Sequence, residues 1–150
     1  MTRLRDTALI DRPIQTTREG LERFFLSLRG KDGIARLHLR VPTDSAPHGY
    51  GISLDREVRI EARPAGSEFG QAFIEIAWMA EGLLVFPRFD GKLRIFRNGD
   101  PNHTRIELEG SYTPPFGPAG QLFDAAIGHR IAQRTAREFL KDLKDAVEKT

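Results

Sequence analysis

The chain has no cysteine. Disulfides, thiolate metal sites and cysteine nucleophiles are therefore excluded, and nothing suggests an oxidising compartment. It also lacks a long apolar run. No stretch approaches the roughly 20 apolar residues of a membrane-spanning helix, so no stable membrane insertion is expected. The first residues, Met1 to Arg5, are charged and lack the apolar segment of about 7–15 residues that a secretory signal needs. The cytoplasm is the default compartment. The four histidines, His38, His48, His103 and His129, show no metal-ligand spacing, and neither a metal nor a cofactor is expected. No Ser or Thr sits in a nucleophile-elbow motif, and Gly49-Tyr50-Gly51 lacks the rest of a phosphate-binding loop. Lysine is scarce: Lys31, Lys92, Lys141, Lys144 and Lys149 are all there are, and the remainder of the 23 basic residues are arginine. The 21 acidic residues are interleaved with the bases and the net charge is only +2. Despite a pI of about 9.2, no basic field builds up, and nucleic acid is not an expected partner.

What is present suits one domain, residues 1–150. A chain of this size buries roughly 68–70% of its unfolded surface and needs no staple. Hydrophobic residues make up 39% and charged residues 29%, too apolar a balance for disorder.

The element pattern is regular. Thr7 to Ile14 reads as a short first strand, with Pro13 near its end. Thr16-Thr17-Arg18-Glu19 fits a capping box, and Leu21, Phe24, Phe25 and Leu28 follow at helical spacing until Gly30 and Gly33 stop the helix. Ile34 to Val41 alternates, with Ala35, Leu37, Leu39 and Val41 on one face. Ile52 to Arg63 alternates likewise, and Pro64-Ala65-Gly66-Ser67 reads as the hairpin turn into Phe69 to Ala80. In that strand Ala72, Ile74, Ile76 and Trp78 share one face, and Gln71, Phe73, Glu75, Ala77 and Met79 the other. A strand from Leu83, interrupted near Pro87 and resuming from Lys92 to Arg97, meets the strong turn signal Asn98-Gly99. Arg105 to Tyr112 returns, and a rigid corner, Thr113 to Pro118, leads into a long helix.

That helix, expected from Ala119 to Lys149, has two neighbouring inner ridges. One is Ile127, Ile131, Thr135, Phe139, Leu143 and Val147. The other, Gly120, Asp124, Gly128, Ala132, Ala136 and Leu140, is small-residue for most of its length. Glycine in a helix costs roughly 0.8–1 kcal/mol against alanine, so this ridge needs a reason. Either the helix packs closely on the sheet, or the small side chains leave a cavity. Strand, helix, five antiparallel strands and a long helix make an α+β protein with helices on one face of a curved antiparallel sheet.

The string from Leu108 to Gly117 (LEGSYTPPFG), then Gly120, Asp124 and His129-Arg130-Ile131-Ala132, resembles bacterial proteins of the START-related SRPBCC superfamily. So does Trp78 followed by Phe86-Pro87-Arg88-Phe89-Asp90-Gly91-Lys92-Leu93. The resemblance implies the helix-grip fold, in which a curved antiparallel sheet of about six to seven strands wraps around a long C-terminal helix with an apolar cavity between them. Activities in the superfamily range over lipid and steroid binding, polyketide cyclisation, ubiquinone-related binding and chaperone co-activation. No residue here carries one of them over.

Three functions are open. The first is binding or transport of a small hydrophobic ligand, lipid-, sterol- or polyketide-like, in that cavity. Its lining would include Glu75, Trp78, Phe86, Phe89, Tyr112, Asp124, Gly128 and Ile131. The second is a cyclase- or dehydratase-type enzyme, for which Glu75, Asp124 or a histidine and Tyr112 would have to converge on the cavity. The third is a protein-interaction module, which would show an exposed apolar patch of a few hundred Å² or more. Each residue also has a plainer reading. Glu75 can face outward and pair with an arginine of the next strand. Asp124 can complement the helix N-terminus. The aromatics can be core, although a buried Tyr112 hydroxyl would need a partner.

Overall fold

A computed structural model describes residues 2–42, 53–68, 71–80, 88–113 and 125–149. They form β1 (Thr2–Ile10), α1 (Ile14–Ser27), β2 (Arg36–Pro42), β3 (Ser53–Glu68), β4 (Gln71–Ala80), β5 (Arg88–Arg97), β6 (Thr104–Thr113) and α2 (Ala125–Glu148). All neighbouring strands are antiparallel, in the order β1-β6-β5-β4-β3-β2. The first two strands of the chain are thus the two edges of one six-stranded sheet, and α1 connects them.

Alternation decides which face each strand buries. Leu37 and Leu39 of β2, Val58 and Ile60 of β3, Ile76, Trp78 and Ala80 of β4, Phe89, Leu93 and Ile95 of β5, and Ile106, Leu108 and Tyr112 of β6 all turn to one side and are buried. Against them lies α2, whose Ile131, Ala132, Thr135, Ala136, Phe139, Leu140, Leu143 and Val147 are buried too. Two adjacent i, i+4 ridges make a stripe wide enough to fill the groove of a curled sheet. The helix also reaches both edges. Arg137 Nε lies 3.9 Å from Asp6 of β1, Lys144 Nζ donates to the Leu9 carbonyl at 2.7 Å, and Glu138 lies 4.0 Å from Arg40 of β2. Edge strands invite pairing with other chains, and here the helix is fastened beside each.

The sheet curls most tightly where Gly91 and Gly110 stand opposite each other in β5 and β6. A Cβ on Gly91 would meet the Glu109 carbonyl oxygen and lie 2.5 Å from Phe89 Cζ. One on Gly110 would meet the Asp90 carbonyl and lie 2.8 Å from Phe89 Cε2. The Phe89 ring therefore lies flat over backbone that only glycine leaves bare.

Several boundaries differ from the sequence expectation. β1 begins at Thr2 and ends at Ile10, and Ile14 is already helical. Helix α1 starts behind Pro13, with no side-chain cap: Thr16 lies inside the helix, and the Pro13 carbonyl accepts the Thr17 N–H at 2.9 Å. Pro13 fixes its own φ at −58° and presets the first turn, which makes a capping side chain dispensable. Pro64 to Ser67 is a bulge within β3, with Gly66 at φ 89°, and the connection to β4 falls at residues 69–70, outside the described residues. Between β5 and β6 the loop is residues 98–103, longer than an Asn-Gly turn. The Asp100 carboxylate accepts the Asn102 N–H at 2.8 Å and Pro101 cannot join a ladder, so the hairpin opens early. The expected strand portion from Leu83 to Pro87 and the expected start of α2 near Pro118 lie outside the described residues.

Candidate functional site

The two ends of the sheet–helix interface are built differently. At one end the C-terminus of α2 meets the corner between β1 and α1. The last carbonyls of a helix lack intrahelical partners, and here Arg12 Nη2 donates to the Glu148 carbonyl at 2.5 Å. The Glu148 carboxylate in turn accepts the Asp11 N–H at 2.8 Å and the Lys144 ammonium at 2.6 Å. Burial opposes its ionisation, but Lys144, the Asp11 N–H and Arg12 together hold the Glu148 carboxyl below its ordinary value. Thr104 donates to the Arg12 carbonyl at 2.8 Å. His103 lies between Asp11 and Asp100, at 3.1 and 3.2 Å. Gly20 of α1 lets the helices touch, since a Cβ there would lie 3.1 Å from a Val147 methyl. This is the anchored end.

At the other end, β2 finishes, β3 begins, β4 finishes, β5 begins, β6 finishes and α2 begins. The three longest connections of the chain all leave from there. One row of the sheet near this end is aromatic: Ile60 pairs with Trp78, Trp78 with Phe89, and Phe89 with Tyr112. The Trp78 and Phe89 rings stack with centroids 4.5 Å apart, and Phe139 of α2 tilts against Trp78 at 5.1 Å. Tyr112 lies 3.3 Å from Thr135 Oγ1, which donates its proton to the Ile131 carbonyl at 2.8 Å. Thr135 is thus left to accept, and Tyr112 donates to it. Burial pushes the Tyr112 phenol far up, despite the Thr135 bond, so it stays neutral at physiological pH. Trp78 Nε1 is buried and has no hydrogen-bond partner.

Four of the eight residues expected to line a cavity therefore lie together. Trp78, Phe89 and Tyr112 share the aromatic row, and Ile131 is joined to it through Thr135. Glu75 does not join them. It is exposed on the outer face of β4, opposite Arg63 and Lys92, because strand alternation turns Ile74 and Ile76 inward. Phe86 and Asp124 lie outside the described residues. Gly128 is in α2, with surroundings outside the description. The expectation missed Phe139 and Thr135 as members of this layer. Their signal was the i, i+4 ridge they share with Ile131.

The small-residue ridge now has a reason over its described half. Ala132 and Ala136 are fully buried, as are Phe89, Tyr112 and Thr135, all at 0% exposure. A void able to hold water would leave accessible area on its walls, so these residues pack closely and line no cavity. Among the described residues the pocket of note is elsewhere. It is an open cleft of about 420 Å³ on the outer face, lined by Glu61, Arg63, Glu75, Asp90 and Lys92. Its groups are engaged locally: Arg63 pairs with Glu61 at 2.9 Å, and Lys92 sits 4.7 Å over the Phe73 ring. Beside it, Arg94 hydrogen-bonds Glu109 and holds that carboxyl below its ordinary value. Among the described residues no group of three potential metal ligands converges.

No protein-family model matches the chain, and no curated protein matches it either. Solved structures do. The protein TTHA0849 from Thermus thermophilus superposes with a TM-score of 0.55 at 16% identity, covering 97% of each chain. A START superfamily protein from Mycobacterium smegmatis superposes with a TM-score of 0.51 at 14% identity, over 98% of this chain and 97% of that one. The chain has a START-like helix-grip fold. At these identities the likeness is one of fold, and it agrees with the six-stranded curled sheet closed by α2. Among the described residues, no helix of this START-like domain is long and apolar enough to cross a membrane.

Proposed function

We propose that this START-like domain binds a small hydrophobic molecule at the end of the grip where α2 begins, with the Trp78–Phe89–Tyr112 row as its floor. The observation that carries the reading is the position of that row. Three aromatics and Ile131 lie at the sheet end from which the connections at residues 43–52, 81–87 and 114–124 depart, while the opposite end is closed by polar clamps. Aromatic side chains give a small ligand large contact area at low entropic cost, and ligand sites are mostly apolar with a few placed polar groups. The described interior is filled down to this row, so a ligand would lie between it and the first turns of α2.

The enzyme reading has less support. Glu75, its main carboxylate, faces solvent. The interaction-module reading has less still: the exposed large apolar residues Leu9, Leu26 and Met79 lie on three different elements.

Native mass spectrometry of protein purified gently from its own host tests the reading. A co-purifying apolar small molecule is the expected result. Its repeated absence, together with no uptake from a lipid extract, would overturn it.

A further inference from the structure

The aromatic row contains two polar groups, and they are treated differently. The Tyr112 hydroxyl is served by Thr135. The Trp78 indole N–H is not served at all: among the described residues it is the one buried side-chain nitrogen or oxygen without a hydrogen-bond partner. Trp78 is 1% exposed and is clasped between Phe89 and Phe139, so bulk water does not reach the nitrogen. Leaving a buried donor unsatisfied costs about 1–3 kcal/mol, and a buried tryptophan ordinarily finds an acceptor. For packing alone, phenylalanine would serve without that cost.

We propose that the Trp78 N–H is the polar anchor of the site, and that the site selects apolar molecules carrying an uncharged oxygen acceptor, a ketone, ester or ether oxygen, over plain hydrocarbons and over carboxylates. The proposal rests on the binding reading above and adds the chemistry of the ligand to it. The acceptor must be uncharged because the residues around the indole, Ile60, Phe89, Tyr112, Ile131 and Phe139, offer no cation. An ionised carboxylate buried without one is strongly disfavoured. A hydrocarbon would fill the same space and leave the N–H as unsatisfied as before.

The chain has a single tryptophan, so its indole gives one cross-peak in a nitrogen–proton correlation spectrum. Protein labelled at tryptophan is titrated near neutral pH with 2-decanone, decane and decanoate, which share a ten-carbon skeleton. The expected result is a downfield move of the indole proton with 2-decanone and none with decane, and decanoate binding more than tenfold weaker than 2-decanone. Trp78→Phe, checked for folding by thermal melting, should lose roughly fivefold to tenfold of its 2-decanone affinity and hold decane within about twofold. Binding of both 2-decanone and decane with the cross-peak unmoved would overturn the anchor and leave the binding reading standing. Tightest binding by decanoate would overturn the selection for an uncharged acceptor. No binding by any of the three would overturn the binding reading and the proposal with it. If Trp78→Phe does not fold, the wild-type cross-peak decides alone.

Discussion

The anchored end of α2 and the end where it begins bury similar side chains but satisfy their polar groups in opposite ways. At the anchored end the polar groups point at one another: Arg12 caps the Glu148 carbonyl, Glu148 takes the Asp11 N–H, and Lys144 joins them. At the other end an indole N–H is buried beside a fully packed aromatic row with nothing to bond. The difference separates stability from function. A structure can be held by contacts that are complete in themselves, whereas a contact left incomplete in a buried place is available to a ligand.

The largest effect is expected in the aromatic layer. Phe139→Ala should cost about 3–5 kcal/mol in chemical denaturation, through lost burial and a cavity beside Trp78. A loss under about 1 kcal/mol would mean that the layer is not tightly packed. The second probes the bare backbone beneath Phe89. Gly110→Ala would drive a methyl against the Asp90 carbonyl and the Phe89 ring. A loss of about 3 kcal/mol is expected, at the upper end of overpacking costs. Phe89→Leu in the same background should recover part of it, which a general intolerance of β6 would not allow.

At the anchored end effects should be smaller. Gly20→Ala gains about 0.8–1 kcal/mol of helix propensity but presses on a fully buried Val147. A net loss of about 1 kcal/mol is expected, and Val147→Ala combined with it should cost less than the two changes added. The smallest effect is a pH dependence. The folded carboxyl of Glu148 lies below its ordinary value. The stability it brings is therefore present above the unfolded value, near pH 4.3, and is lost as pH falls through the folded one. Melting curves from neutral to about pH 3 should show Glu148→Gln less stable than wild type by about 1 kcal/mol at neutral pH, with the gap closing on acidification. A constant gap would mean that ionisation contributes nothing to the clamp.

Much of this was legible in the chain. Alternation set the inner faces of β2, β3, β4 and β6, and i, i+4 spacing set both ridges of α2, because those periods follow from backbone geometry alone. Pro-Ala-Gly-Ser at 64–67 could not announce a bulge, since a turn uses the same residues, and only pairing with β4 tells them apart. The Asn98-Gly99 signal was overruled by what followed it, Asp100 and Pro101. Half of the site was legible as aromatic spacing. The seating of Phe139 on Trp78 was not, because it depends on how far along the sheet the helix lies, which the clamp at Arg12 and Glu148 sets from the opposite end.

The most direct test of the account is hydrogen–deuterium exchange on protein stripped of apolar molecules, compared with the same protein saturated with 2-decanone. The account predicts added protection at residues 78–80, 88–91, 110–113 and 125–135, with residues 10–21 and 143–148 unchanged. Protection concentrated at the anchored end, or spread over the outer cleft around Glu75 and Lys92, would contradict it.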